Sequence, residues 1–191
     1  MADTGLKVMT IDEFFHWQLG QEDRYELVEG LPVKMMSGAS NYHDVIVVNL
    51  IIALGNQLRG TACRVTTPDS SVRTKIKSIR RPDVSVTCEP PLPNTYEARD
   101  PKLVVEVLSP SNVGVSWERK LGEYYRLRGL KYLLLVDSRE VKATLFTRGA
   151  SEWEPTDADD LEAVIELPEI GCRLTMREIY EGLQFEVGDA S

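Results

Sequence analysis

The chain has 191 residues, of which 42% are hydrophobic and 27% charged, with a formal net charge of -8. That length and balance suit one soluble domain, residues 1–191, with a sizeable core. No apolar run approaches the roughly 20 residues that span a bilayer, and the N-terminus lacks the basic-then-apolar pattern of a secretory signal, so a cytoplasmic location with no membrane partner is expected.

In chain order, Thr10-Ile11-Asp12-Glu13 fits a capping box and predicts a short helix to about Leu19, ended by Gly20. Tyr25–Glu29 and Leu31–Met36 flank Gly30 and predict a hairpin of two strands. A loop follows at Ser37–Asn41. Ser40 or Asn41 then caps a long helix from about Tyr42 to Leu58, stopped by Gly60. Val45, Val48 and Ile52, with the parallel row Ile46, Asn49, Leu50 and Ala53, make that helix apolar over more than half its girth and predict a core position.

Three strands are predicted next, at Ala62–Thr66, Ser71–Lys75 and Pro82–Thr87. Val72, Thr74 and Ile76 alternate with Arg73, Lys75 and Lys77, the pattern of a half-exposed strand. Glu89–Pro101 holds four prolines and reads as loop. Lys102–Leu108 is the most apolar strand and is expected at the centre of the sheet. A helix from about Ser116 to Arg128 ends at Gly129. Lys131–Asp137 is a further apolar strand, forming a hairpin with Val141–Thr147. The remainder reads as an acidic loop, a short strand near Ala163–Glu166, and a last helix capped by Thr175 with Glu178 three residues on. The tail from about Val187 is expected to be disordered.

Charge is uneven along this order. Residues 152–191 carry twelve acids and two arginines, while residues 1–151 are close to neutral. Between Arg59 and Arg81 lie seven basic residues and one acid, Asp69. Arg73, Lys75, Lys77, Arg80 and Arg81 are therefore candidates for contacts to nucleic-acid phosphates, against the alternative of a solvated strand edge. Cys63, Cys88 and Cys172 are odd in number, widely spaced and free of any CxxC pair. They predict three buried small side chains and neither a disulfide framework nor a zinc knuckle.

Two acids stand out. On a strand, Val104, Glu106 and Leu108 share one face and Leu103, Val105 and Val107 the other. A carboxylate buried in such a run costs several kcal/mol unless it meets a cation. Asp83 has the same form beside Val84 and Val86. The competing readings are a salt-bridged core acid for Glu106 and a turn acceptor for Asp83. Two carboxylates on neighbouring strands make a hard-oxygen site suited to Mg²⁺ or Mn²⁺, which keeps several waters and takes phosphate oxygens in its remaining positions. Lys120, one helical turn from Tyr124, is the candidate for a fixed positive charge beside it.

Pro82-Asp83, the run Glu106-Val107-Leu108-Ser109-Pro110-Ser111, Lys120 with Tyr124, and Gly129-Leu130-Lys131-Tyr132 with Val136-Asp137 together resemble the Uma2 family, also known as DUF820. That family belongs to the PD-(D/E)XK nuclease superfamily. The resemblance extends to Tyr25-Glu26-Leu27-Val28-Glu29-Gly30 and to His43, and it spans roughly Met9 to Gly182. It implies an α/β (α+β) restriction-endonuclease-like fold, a mixed central sheet flanked by helices, here with an N-terminal hairpin. It implies that Asp83 and Glu106 bind the metal, that the Val107 carbonyl adds a ligand, that Glu26 or Glu29 completes the site, and that His43 touches the metal water or a phosphate.

Two departures are visible. Leu108 stands where the superfamily pattern wants a lysine, whose role passes to Lys120. Ser116 stands where the family usually has an aspartate. The expected activity is hydrolysis of phosphodiester bonds, of DNA before RNA, by a Mg-activated water, in a homodimer. The alternative is a catalytically inactive nucleic-acid-binding or regulatory member of the same fold.

Overall fold

The computed structural model describes residues 8–35, 40–109 and 117–185. The Ser37–Ala39 loop, the Pro110-Ser111 turn, Ser116 and the tail from Val187 lie outside the described residues.

Helix α1 (Ile11–Gln18) starts with the expected capping box, Thr10 accepting from the Glu13 amide and Glu13 reaching back. Strands β1 (Tyr25–Val28) and β2 (Leu31–Lys34) form the expected hairpin. Its two-residue turn places Glu29 at φ 52° and Gly30 at φ 86°. Both central residues at positive φ is the geometry that matches strand twist, and glycine meets it without strain. These strands join β5 (Ser78–Arg80) and β4 (Val72–Lys75) in a four-stranded sheet of order β2-β1-β5-β4. Phe14 and Ile11 of α1 pack on Leu27 and Ile79 of this sheet.

A six-stranded sheet runs β10-β9-β8-β7-β6-β3. It comprises β3 (Arg64–Thr66), β6 (Val84–Thr87), β7 (Pro101–Leu108), β8 (Tyr132–Asp137), β9 (Ala143–Arg148) and β10 (Trp153–Ala158). Strand β7 is interior, as its composition demands; it runs parallel to β8 and antiparallel to β6. The sheet is therefore mixed.

Helix α2 (Asn41–Leu58), capped by Ser40, lays Ile46, Leu50, Leu54 and Leu58 against Val84, Val86, Leu103, Val105 and Val107. Burying each such side chain is worth about 1.5–3 kcal/mol, so this seam anchors the helix. On the opposite face of the sheet, helix α3 (Trp117–Tyr124) and the turn after it pack Tyr124 and Leu130 on Val104 and Leu133. The ladder β11 (Val164–Leu167) with β12 (Cys172–Thr175) and the short capped helix α4 (Met176–Ile179) close the α2 side.

Several expectations are corrected. The Val48 and Ile52 row of α2 is exposed rather than buried, because the sheet takes only the Ile46–Leu50 row. Ile76 is 88% exposed, since the chain turns at Ile76-Lys77 into β5, a strand the alternation had absorbed into a longer one. Helix α3 ends at Tyr124, short of Arg128. Strand β10 occupies what read as acidic loop; as an edge strand it tolerates Pro155 and its outward charges. Cys63 and Cys88 form a disulfide. The register Arg64↔Thr87 carries one step further to put them opposite one another, which sequence distance hides. Cys172 is buried, as expected. No helix among the described residues is long and apolar enough to cross a membrane.

Candidate active site between the two sheets

The site forms where α3 meets side chains from β1 of one sheet and from β7 and the start of β6 of the other. In the antiparallel pair of β6 and β7, Val84 faces Val105. One step further along, Asp83 lies opposite Glu106. The two acids are thus cross-strand neighbours, as the neighbouring-strand reading required. Val107 and Val105 turn to the α2 core, so Glu106 turns with Val104 towards α3.

Glu106 is 4% exposed. Its Oε1 accepts from the Tyr124 hydroxyl at 2.6 Å and lies 2.7 Å from Lys120 Nζ. Burial pushes its carboxyl up to about 7, the Lys120 ammonium opposing and Asp83 and Glu26 reinforcing the rise. Burial also acts against the charge on Lys120. The attraction of Glu106 and then Glu26 outweighs it and holds the lysine pKa above its ordinary value. Lys120 is accordingly a buried, protonated cation.

Asp83 is gripped from the backbone and from α2. The Val107 amide donates to Oδ2 at 2.8 Å, and His43 Nε2 lies 3.4 Å from the same oxygen. Burial disfavours the imidazolium, but the bond to Asp83 outweighs it and raises the His43 pKa. Among the described residues, the donors to the two acids fall on one oxygen of each, Oδ2 and Oε1.

Of the two further candidates, Glu26 belongs to this cluster and Glu29 does not. Glu26 Oε1 lies 3.6 Å from Lys120 Nζ and accepts from the Arg81 amide at 3.0 Å, while Oε2 accepts from Arg80 at 2.8 Å. Burial favours protonating Glu26, yet Lys120 and Arg80 hold its pKa below the ordinary carboxylate value. Glu29 sits at the hairpin turn, paired with Lys75 at 2.5 Å and with Arg119 at 3.7 Å.

The basic stripe is corrected most. Arg80 and Arg81 are buried, not on a surface. Both faces of β5 are covered, Ile79 by Ile11 and Phe14 of α1 and Arg80 by the carboxylates of Glu26 and Glu123. Arg80 binds Glu26 and Glu123; Arg81 caps the carbonyls of Tyr25, Pro68 and Asp69. Arg73 pairs with Glu97, and Lys75 with Glu29. Lys77 is exposed at the β4–β5 turn.

Two participants had no role in the sequence reading, Tyr124 being named only beside Lys120. Tyr124 is fully buried and binds Glu106 directly, and Glu123 is 1% exposed and binds Arg80. The signal was the i, i+3, i+4 face of Lys120, Glu123 and Tyr124 on α3, where two charges and a tyrosine share one row.

Asp83 and Glu106 offer hard oxygens. Among the described residues, no group of three or more His, Cys, Asp or Glu is gathered closely enough to ligate one ion. A pair of carboxylates suits Mg²⁺, which accepts one or two such ligands and completes its shell with water and phosphate, and does not suit an all-protein zinc cage.

Residues 11–177 match the family model Uma2, described as "Putative restriction endonuclease". The uncharacterized protein slr1290 of Synechocystis sp. is 32% identical over 177 residues, covering 91% of this chain and 92% of its own length. A crystal structure from Anabaena variabilis, described as a "putative nuclease belonging to DUF820", superposes with a TM-score of 0.71 over 90% of this chain and 97% of that one. At 17% identity that likeness is one of fold. Sequence pattern, fold and family model agree: the chain belongs to the Uma2 family.

Proposed function

We propose that the protein is a Mg²⁺- or Mn²⁺-dependent endonuclease that hydrolyses phosphodiester bonds, with DNA as substrate. The observation that carries this reading is the meeting of Asp83, Glu106 and Lys120 at one point, the two acids on adjacent strands and the ammonium 2.7 Å from one of them.

Asp83 and Glu106 would hold the cation, with the Val107 carbonyl as a further oxygen. When bound, the ion supplies polarisation of the phosphoryl group and acidity to a coordinated water. The chain's own residues do the rest. Among the described residues, Tyr124 and Lys120 hold Glu106 by Oε1, and the Val107 amide and His43 hold Asp83 by Oδ2, contacts that would orient both carboxylates for the ion. Lys120, kept protonated by two carboxylates, stabilises negative charge that develops on the phosphate. Glu26 stands beyond it as a counter-charge. Cutting both strands of a duplex with a single-site fold calls for two copies, and a two-fold dimer is the commonest closed assembly.

The test is a cleavage assay on single-stranded DNA, duplex DNA and RNA with Mg²⁺ or Mn²⁺, run beside Glu106→Ala. Metal-dependent cleavage that is lost in the variant supports the reading. Cleavage unchanged in Glu106→Ala sinks it, and absence of cleavage on every substrate favours the inactive nucleic-acid-binding alternative.

A further inference from the structure

Helix α3 carries a buried acid that this chemistry does not use. Glu123 accepts from one edge of the Arg80 guanidinium, Nε at 2.8 Å and Nη2 at 3.1 Å, and from the Thr74 hydroxyl at 2.8 Å. The remaining arm of Arg80 reaches Glu26, which in turn lies against Lys120. Lys120 then touches Glu106. Four charged side chains thus run in alternating sign, Glu123, Arg80, Glu26 and Lys120, from the interface of α3 with β4 to the reacting centre. Lys75, 3.8 Å from Glu123, is drawn outward by Glu29.

We propose that Glu123 is a positioning residue for Lys120, acting through Arg80 and Glu26; this rests on the nuclease reading of the site. These buried groups share charge. A buried ion holds its geometry only when its partners balance it. Arg80 has two carboxylate partners, and so does Lys120, and Glu26 is the one they share. With Glu123 ionised, Arg80 divides its hold and leaves Glu26 free to attract Lys120. With that charge removed, the guanidinium concentrates on Glu26 and weakens its pull on the lysine. A planar two-armed arginine serves this role where a point-charge lysine would not.

A structural clamp of α3 on β4 would use the same contacts, so the test must separate the two. Glu123→Gln keeps the size and an oxygen for Thr74 while removing the charge. Measured at saturating Mg²⁺, it is expected to lower kcat about 10- to 100-fold, as small misplacements of a catalytic group do. KM and the Mn²⁺ affinity should stay within about twofold, because Asp83 and Glu106 are untouched. Its crystal structure should show Lys120 Nζ moved away from Glu26, beyond the 3.6 Å of the wild-type protein, a readout that needs no activity.

Arg80→Lys, which keeps the charge but loses the fork, should repeat that pattern and serves if the first variant does not fold. A wild-type kcat with a lowered melting temperature and Lys120 in place overturns the proposal and leaves the clamp. A matching loss of Mn²⁺ affinity overturns it too, by placing Glu123 at the metal. Should the wild-type protein fail to cleave anything, the nuclease reading fails and this inference with it. Wild-type cleavage with an unaltered Glu123→Gln defeats the inference alone.

Discussion

Lys120 Nζ lies 2.7 Å from Glu106 Oε1, although the lysine comes from helix α3 and the acid from the interior strand β7. The bond explains how a carboxylate survives in the run Val104-Val105-Glu106-Val107, where it is buried on an apolar face. It also keeps the lysine charged and opposes the burial that pushes the carboxyl up to about 7.

That raised value fixes a pH dependence. The ion and the proton compete for Glu106, so metal affinity rises with pH while the carboxyl is protonated and levels off above about 7. Titrations of Mn²⁺ by calorimetry should show tightening up to about tenfold per pH unit below that value. Glu106→Gln should lack this limb. The metal-free stability has the opposite sign. The unfolded carboxyl ionises first, so the favourable contribution of Glu106 is complete below its ordinary range and is lost as pH rises to about 7.

Tyr124→Phe removes the hydroxyl that donates to Glu106 at 2.6 Å. The ring keeps its packing on Val104 and Leu133, so above about pH 7, where Glu106 is ionised, the loss is one hydrogen bond to a charged group. Urea denaturation should register about 1.5–3 kcal/mol of destabilisation. A change under about 0.5 kcal/mol would mean that Lys120 alone satisfies that oxygen.

The Cys63–Cys88 disulfide joins edge strand β3 to β6 across 25 residues of sequence. Closing a loop of that size stabilises by roughly 3 kcal/mol on chain-entropy grounds. Non-reducing peptide mapping should recover the linked pair, and Cys63→Ser with Cys88→Ser should lower the melting temperature. Two free thiols in protein purified without reductant would refute the pairing.

How far the sequence led is clear from single residues. Glu106 was legible because an acid in an apolar strand has few physical explanations, and Asp83 because it opens the neighbouring strand. Lys120 and Glu26 entered through family resemblance; a lysine on a helix and a glutamate in a short strand are ordinarily solvated. Arg80 and Arg81 are hidden for the same reason: arginines in a basic stretch read as solvated until the carboxylates that bind Arg80 and the carbonyls that bind Arg81 are seen. Glu123 gave no signal beyond its spacing from Lys120 and Tyr124. Strand β10 was hidden by Pro155 and its acids, which an edge position allows.

The claim on which the rest depends is that Asp83 and Glu106 jointly hold one divalent ion. Calorimetric titration of Mn²⁺ into the wild-type protein and into Glu106→Gln, at a pH about one unit above the Glu106 value, tests it most directly. The account predicts one ion bound per chain by the wild-type protein and a loss of affinity of at least about tenfold in the variant. Equal affinity in both proteins, or no binding by the wild-type protein at millimolar metal, would contradict it.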